Sequence, residues 1–199
     1  MTAHQDPPDD PRPLLDRALA QVAALAAGVD DADLVLPTPC TDWAVRDLLG
    51  HLVTVHRRLL RIAGGGDAVD LPLVTAVPGD DHAAPLRVAL ARDGAAVHEA
   101  WRDDTVLTRT ATVPWGTHPG TVLGLGYVRE LAVHAWDLAR ALGRVDELDP
   151  GVAEPVVELT RRTIPAQPRG GPIPFGPPVD VPPDADPYVR LAGWLGRPV

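Results

Sequence analysis

The stretch Tyr127–Val128–Arg129–Glu130–Leu131–Ala132–Val133–His134–Ala135–Trp136–Asp137–Leu138 carries a carboxylate, an imidazole and a second carboxylate at helical spacing. At about 100° per residue, Glu130 and His134 stand one turn apart and Asp137 follows on the same side. Val128, Leu131, Ala132, Ala135, Leu138, Ala139 and Leu142 form a separate apolar stripe suited to a core. A Glu oxygen and a neutral His nitrogen, one turn apart, can both point at one ion. That donor pair suits zinc and similar divalent metals. Two ligands do not make a site, so the rest of the chain must supply a third.

His51, within Asp47–Leu48–Leu49–Gly50–His51–Leu52–Val53, is the best candidate. It falls at the margin of an apolar helix face, where a facing helix of a bundle can present Glu130 and His134 to it. Three protein ligands leave a fourth position open, as in catalytic rather than structural zinc sites. Against this stands the general rule that a core His is more often a hydrogen-bonded structural residue than a ligand. His56, near the middle of the same face, reads as such a residue and is the reserve ligand. Asp137 can be a fourth ligand, a general base, or the group that holds His134 by its free N–H; the last is preferred. His82, His98 and His118 read as surface or loop residues. Cys40 has no placed base and reads as a small buried residue rather than a nucleophile. The chain contains no serine, and Gly64–Gly66 lacks the preceding strand and Lys of a phosphate loop.

These residues need helices to hold them. The pattern predicts helices from about Pro13 to Gly28, from an N-cap at Thr41 or Asp42 to the Gly64–Gly66 run, from about Ala83 to Asp103, and from about Thr121 to Leu142. A shorter helix is expected at Val152–Thr163 and a last helical turn at Tyr188–Leu195. Thr108–Val113 and the Pro114–Gly120 stretch after it read as a hairpin-like excursion rather than a true sheet. Nine prolines between Pro165 and Pro187 exclude regular structure there. The expected fold is therefore all-α: an up-and-down four-helix bundle, a short extended excursion before its last main helix, and a Pro-rich C-terminal arm. Residues 1–12 are expected to be a disordered leader, 13–164 the metal-binding bundle, and 165–199 an arm packed upon it.

Composition narrows the function classes. The 199 residues carry a net charge of −9, and all 18 basic residues are arginine. An acidic chain with scattered Arg argues against nucleic acid as a partner. The longest apolar runs fall far short of the roughly 20 residues of a membrane span, so no membrane partner is expected. One cysteine allows no internal disulfide, and Met1–Pro13 lacks the basic and apolar regions of a signal peptide; a cytoplasmic location is expected.

The segments Pro37–Thr38–Pro39–Cys40–Thr41–Asp42–Trp43–Ala44–Val45–Arg46–Asp47–Leu48–Leu49–Gly50–His51–Leu52 and Glu130–Leu131–Ala132–Val133–His134–Ala135–Trp136–Asp137–Leu138–Ala139 together resemble a known family. It is that of the actinobacterial metal-binding proteins related to the N-terminal domain of mycothiol-dependent maleylpyruvate isomerase, in the DinB-like superfamily. The closing Asp186–Arg197 segment is similar to the tail of single-domain members. The resemblance implies a divalent metal, usually zinc, on His51, Glu130 and His134, and activation of a low-molecular-weight thiol such as mycothiol at the open metal position. The resemblance covers the chain from about Leu14 to Gly196, but no residue of the Pro-rich tail can be matched to a thiol or substrate contact. The function expected is transfer of such a thiol to a small electrophile, or isomerisation of one, with a small-molecule substrate as partner and a homodimer compatible with it. The alternatives are a non-catalytic metal-binding sensor or interaction module, and a metal-dependent hydrolase of a small amide or ester. For an enzyme, Arg161, Arg162 and Arg169 are candidate anion holders.

Overall fold

The structure, a computed structural model, describes residues 9–40, 42–170 and 175–199. Helix α1 (Arg12–Ala27) buries Leu14, Leu15, Ala18, Leu19, Val22 and Leu25, the spacing expected of one helix face against a core. Helix α2 (Val45–Ala63) ends at Gly64, and α3 (Ala83–Ala100) is followed by the single turn α4 (Thr105–Thr108). Strands β1 (Thr110–Val113) and β2 (Gly116–Pro119) pair antiparallel, with Thr110 opposite Pro119 and Val113 opposite Gly116. Helix α5 (Gly120–Leu142) stops at Gly143, and α6 (Pro150–Thr163) and α7 (Pro187–Trp194) follow.

Helices α1, α3, α2 and α5 pack in a closed ring, each against the next, which is the expected four-helix bundle. The α6–α7 pair lies against α5. Gln21 of α1 ties that pair to the bundle: its amide donates to the Tyr188 hydroxyl at 2.6 Å and its oxygen accepts from the Asp149 N–H at 2.7 Å. Trp101, 1% exposed, donates its indole N–H to the Leu59 carbonyl at 3.1 Å, so the end of α3 is fixed to α2 without an unpaired buried donor.

The differences from the sequence reading are local. Arg12, the last residue of the expected leader, is already helical and forms ion pairs with Asp10 and Asp104; residues 1–8 of that expectation lie outside the described residues. The N-cap of α2 is Ala44, whose N–H is accepted by Asp47 at 3.0 Å; Asp42 is two residues upstream at φ 69°, and Thr41 lies outside the described residues. A side chain at the third helical position thus does what a capping side chain does elsewhere. His56 is fully buried as expected, but neither ring nitrogen has a hydrogen-bond partner of ordinary geometry. Burial lowers its pKa to about 4; Asp93 and the Leu90 backbone only partly oppose that.

Two predictions follow from this core. Leu52 of α2 and Leu131 of α5 are fully buried, and the two helices pack against each other. Leu52→Ala and Leu131→Ala should each cost about 2–5 kcal/mol in denaturant unfolding, and a loss below about half a kcal/mol for both would show that the faces lie elsewhere. His56 stays neutral in the folded state down to about pH 4, while the unfolded chain takes up that proton near pH 6.5. Falling pH therefore removes stability through that window. The stability difference between His56→Leu and wild type should shift toward the variant by about 2–3 kcal/mol between pH 7 and pH 4.5. A pH-independent difference would disprove it.

Candidate metal centre

His51 lies on the α2 face turned to α5, 2% exposed. Gly50, just before it, lets the loop after α2 come unusually close. A Cβ at Gly50 would stand 2.9 Å from the Thr75 carbonyl, and the Thr75 N–H donates to the Gly50 carbonyl at 3.1 Å. The Thr54 and Thr75 hydroxyls close the same contact at 2.8 Å. With the loop docked there, the Leu73 carbonyl sits 2.7 Å from His51 Nδ1. A carbonyl only accepts, so Nδ1 carries the hydrogen and donates it. In the neutral ring the lone pair is then on Nε2, which faces Glu130 Oε1 at 3.2 Å.

His134 is oriented in the same sense from α5. Its Nδ1 donates to Asp137 Oδ2 at 3.0 Å, one turn further along the helix. Asp137 is fully buried, and Arg197 from the chain's C-terminal end holds it. Arg197 Nε donates to Oδ1 at 3.0 Å and the second arm of the guanidinium donates to Oδ2 at 3.1 Å. Burial alone would push the Asp137 carboxyl up, but the His134 and Arg197 contacts outweigh it and hold the group ionised. Burial lowers the pKa of His134 despite Asp137, favouring the neutral imidazole. Glu130 behaves like Asp137: burial opposes its charge, and the His51 contact with the charges around it brings the carboxyl below its ordinary range.

One ligand atom each from His51, Glu130 and His134 falls within 4.8 Å of the others. Both imidazoles have their δ nitrogen committed, so their ε nitrogens are the ones left to share with the carboxylate. Cys40, His134 and Asp137 also bring one atom each within 4.8 Å. That second group is spent, because Asp137 already accepts from His134 and three times from Arg197.

Trp43 forms a wall against the site, and the sequence reading passed it over. Its ring lies 4.8 Å from the His51 ring and 5.9 Å from the His134 ring, centroid to centroid. The loop before α2 folds back to put it there: Thr38 N–H and hydroxyl both donate to the Trp43 carbonyl, and Trp43 N–H donates to the Cys40 carbonyl. Asp42 adopts the left-handed conformation in that turn, which Asp tolerates better than most residues. The preceding Pro–Thr–Pro–Cys run thus sets an aromatic face over two imidazoles.

Arg197 was also missed. It comes from the C-terminal segment, in which no thiol or substrate contact was expected, and it contacts Asp137 instead. Of the candidate anion holders, Arg161 pairs with Glu158 and lies over Trp194, while Arg169 lies over the same ring and donates to the Trp194 carbonyl. Arg162 is exposed on α6. His82 and His98 pair with Asp31 and Asp16 at the surface, as expected of them. His56 faces α3, where Gly94 lies against its ring.

The model of the mycothiol maleylpyruvate isomerase N-terminal domain matches residues 15–139, more than half of the chain and both segments that form the site. The chain belongs to this family. An uncharacterized protein of Mycobacterium tuberculosis, found under two names in two strains, is 33% identical over 193 residues, covering 96% of this chain and 99% of its own length. Two solved structures of the mycothiol-dependent maleylpyruvate isomerase, one of them a His-to-Ala variant, share the fold at a TM-score of 0.58. They are 16% identical to this chain, covering 76% of it and 69% of their own. At that identity they speak for the family's helical fold alone. Among the described residues no helix is long and apolar enough to cross a membrane.

The environment of Cys40, beside the cluster, can be tested on its own. Burial, helped by the Asp137, Glu130 and Asp42 carboxylates, pushes the Cys40 thiol up to about 11 despite Arg197. A thiol so protonated reacts slowly. Iodoacetamide should alkylate Cys40 about 10²-fold more slowly than free cysteine at pH 8, as followed by mass spectrometry. Alkylation at the free-cysteine rate would contradict this environment.

Proposed function

We propose that this family member holds a divalent cation, with zinc the best chemical match, on His51, Glu130 and His134. We propose further that it uses a low-molecular-weight thiol of the mycothiol type in transfer to, or isomerisation of, a small electrophile. The observation that carries the metal reading is the hydrogen bonding of the two rings. With Nδ1 of His51 donating to Leu73, a neutral ring turns a lone pair on Glu130 oxygen at 3.2 Å. Two acceptors in that position repel each other unless a cation lies between them or the ring takes up a second proton. Two imidazole nitrogens and one carboxylate oxygen form the donor set of a zinc site with room for a further ligand.

When bound, such an ion supplies Lewis acidity that lowers the pKa of a thiol or water in contact with it. The chain's own residues supply the rest. Leu73 and Asp137 fix the tautomer and tilt of the two imidazoles. Trp43 and the apolar α5 face shield the rings from water, which strengthens electrostatics at the site. The half-buried Glu130 leaves the site a path to solvent. Membership in a family named for a mycothiol-dependent isomerase supports the choice of thiol.

The test loads the purified chain with zinc or cobalt. Wild type should take up about one equivalent, and His134→Ala should lose stoichiometric uptake with its far-ultraviolet circular dichroism largely kept. Titrating mycothiol or a simpler cysteinyl thiol into the cobalt form should produce an intense near-ultraviolet charge-transfer band. Full occupancy in the His134 variant would refute the ligand set. Bound cobalt without a thiol band would refute the thiol chemistry while leaving the metal site standing.

A further inference from the structure

We infer that the C-terminal end of the chain is a functional part of this centre: Arg197, acting through Asp137, is the positioning residue that aims His134. The inference rests on the metal reading above. Helix α7 closes with a motif that leaves Arg197 little choice of direction. Gly196 takes φ 77°, its N–H donates to the Gly193 carbonyl, and the Arg197 N–H donates to the Ala192 carbonyl at 2.9 Å. This paired 5→2 and 6→1 bonding turns the chain sharply after the helix. Gly196 also rests on Gly176 of the Pro-rich arm, where a Cβ would stand 2.6 Å from a backbone oxygen. No other residue type meets both demands. The turn therefore delivers Arg197 back into the bundle, 9% exposed, with three contacts to a fully buried carboxylate.

Stability alone is a poor reason for that pair. A buried ion pair is often no more stabilising than apolar side chains of the same volume. Here the carboxylate has a second task, since its Oδ2 also accepts from His134 Nδ1. Without Arg197, Asp137 would be a buried carboxylate with one partner, and both its ionisation and its rotamer would lose their fixed point. The imidazole it orients would then be free to tilt away from His51 and Glu130. Partners of this kind, one step removed from a ligand, typically change metal affinity 10–100-fold.

The test measures zinc affinity of the full chain by competition with a chromophoric chelator, with folding checked by circular dichroism. The expected order is wild type tightest, Arg197→Lys next, because an ammonium replaces the two-armed contact with a single one, and Arg197→Ala weakest at 10–100-fold below wild type. In an Asp137→Asn background, Arg197→Ala should add at most about a twofold loss, since both changes interrupt one chain of contacts. A folded Arg197→Ala chain with wild-type affinity overturns the inference, as does an Arg197 effect undiminished by Asp137→Asn. Should Arg197→Ala fail to fold, Arg197→Lys decides alone, and wild-type affinity there overturns it. A wild-type chain that takes up no zinc overturns the metal reading itself, a different result from zinc-loaded wild type with unaffected Arg197 variants.

Discussion

The arrangement depends on keeping ionisable side chains between α2 and α5 in a place almost without water. A carboxylate or guanidinium moved into such a place costs several kcal/mol unless its lone pairs and hydrogens find partners. Asp137 finds them in His134 and Arg197, and His51 finds one in the Leu73 carbonyl. Two carboxylates, Glu130 and Asp137, stand beside the two imidazoles, with the Arg197 guanidinium on Asp137 and the Arg129 charge acting on Glu130.

Meeting this constraint takes segments far apart in the chain, each for one contact. The loop before α2 lays Trp43 over the rings, the loop after α2 brings Leu73 to His51 across Gly50, and the C-terminal turn returns Arg197 to Asp137. The bundle itself supplies rigidity and the facing of α2 on α5. Further along the same seam the polar character persists: Arg58 and Tyr127 are buried, and Arg58 Nε and the Tyr127 hydroxyl have no hydrogen-bond partner within the protein.

This also accounts for the arm. A stretch with nine prolines between 165 and 187 cannot add a helix, yet it can lay an extended backbone against α7. The Val179 N–H donates to the Gly193 carbonyl, and Gly176 receives Gly196. Proline's restricted backbone lowers the entropy lost on fixing such a segment. The arm is therefore the bed on which the closing turn rests.

Local physics made much of this legible from the residues alone. Helical periodicity located the four bundle helices, because apolar spacing and glycine stops act within a few residues. The i, i+4 placement of Glu130 and His134 with Asp137 one turn on is a property of any helix, so their common face needed no partner to be known. What lay beyond reach was every contact made across the chain. Nothing local says that Leu73 should meet His51 22 positions away, or that Arg197 should meet Asp137 60 positions away. Nor does it say that Ala44 rather than Thr41 or Asp42 starts α2, or that Trp43 faces two imidazoles instead of the core. Those choices are settled only when burial forces each polar atom to find a partner, and burial is a property of the folded chain as a whole. The residue types determined which chemistry was available; the packing of α2, α5 and the C-terminal turn decided which nitrogen of each ring would be free to take part in it.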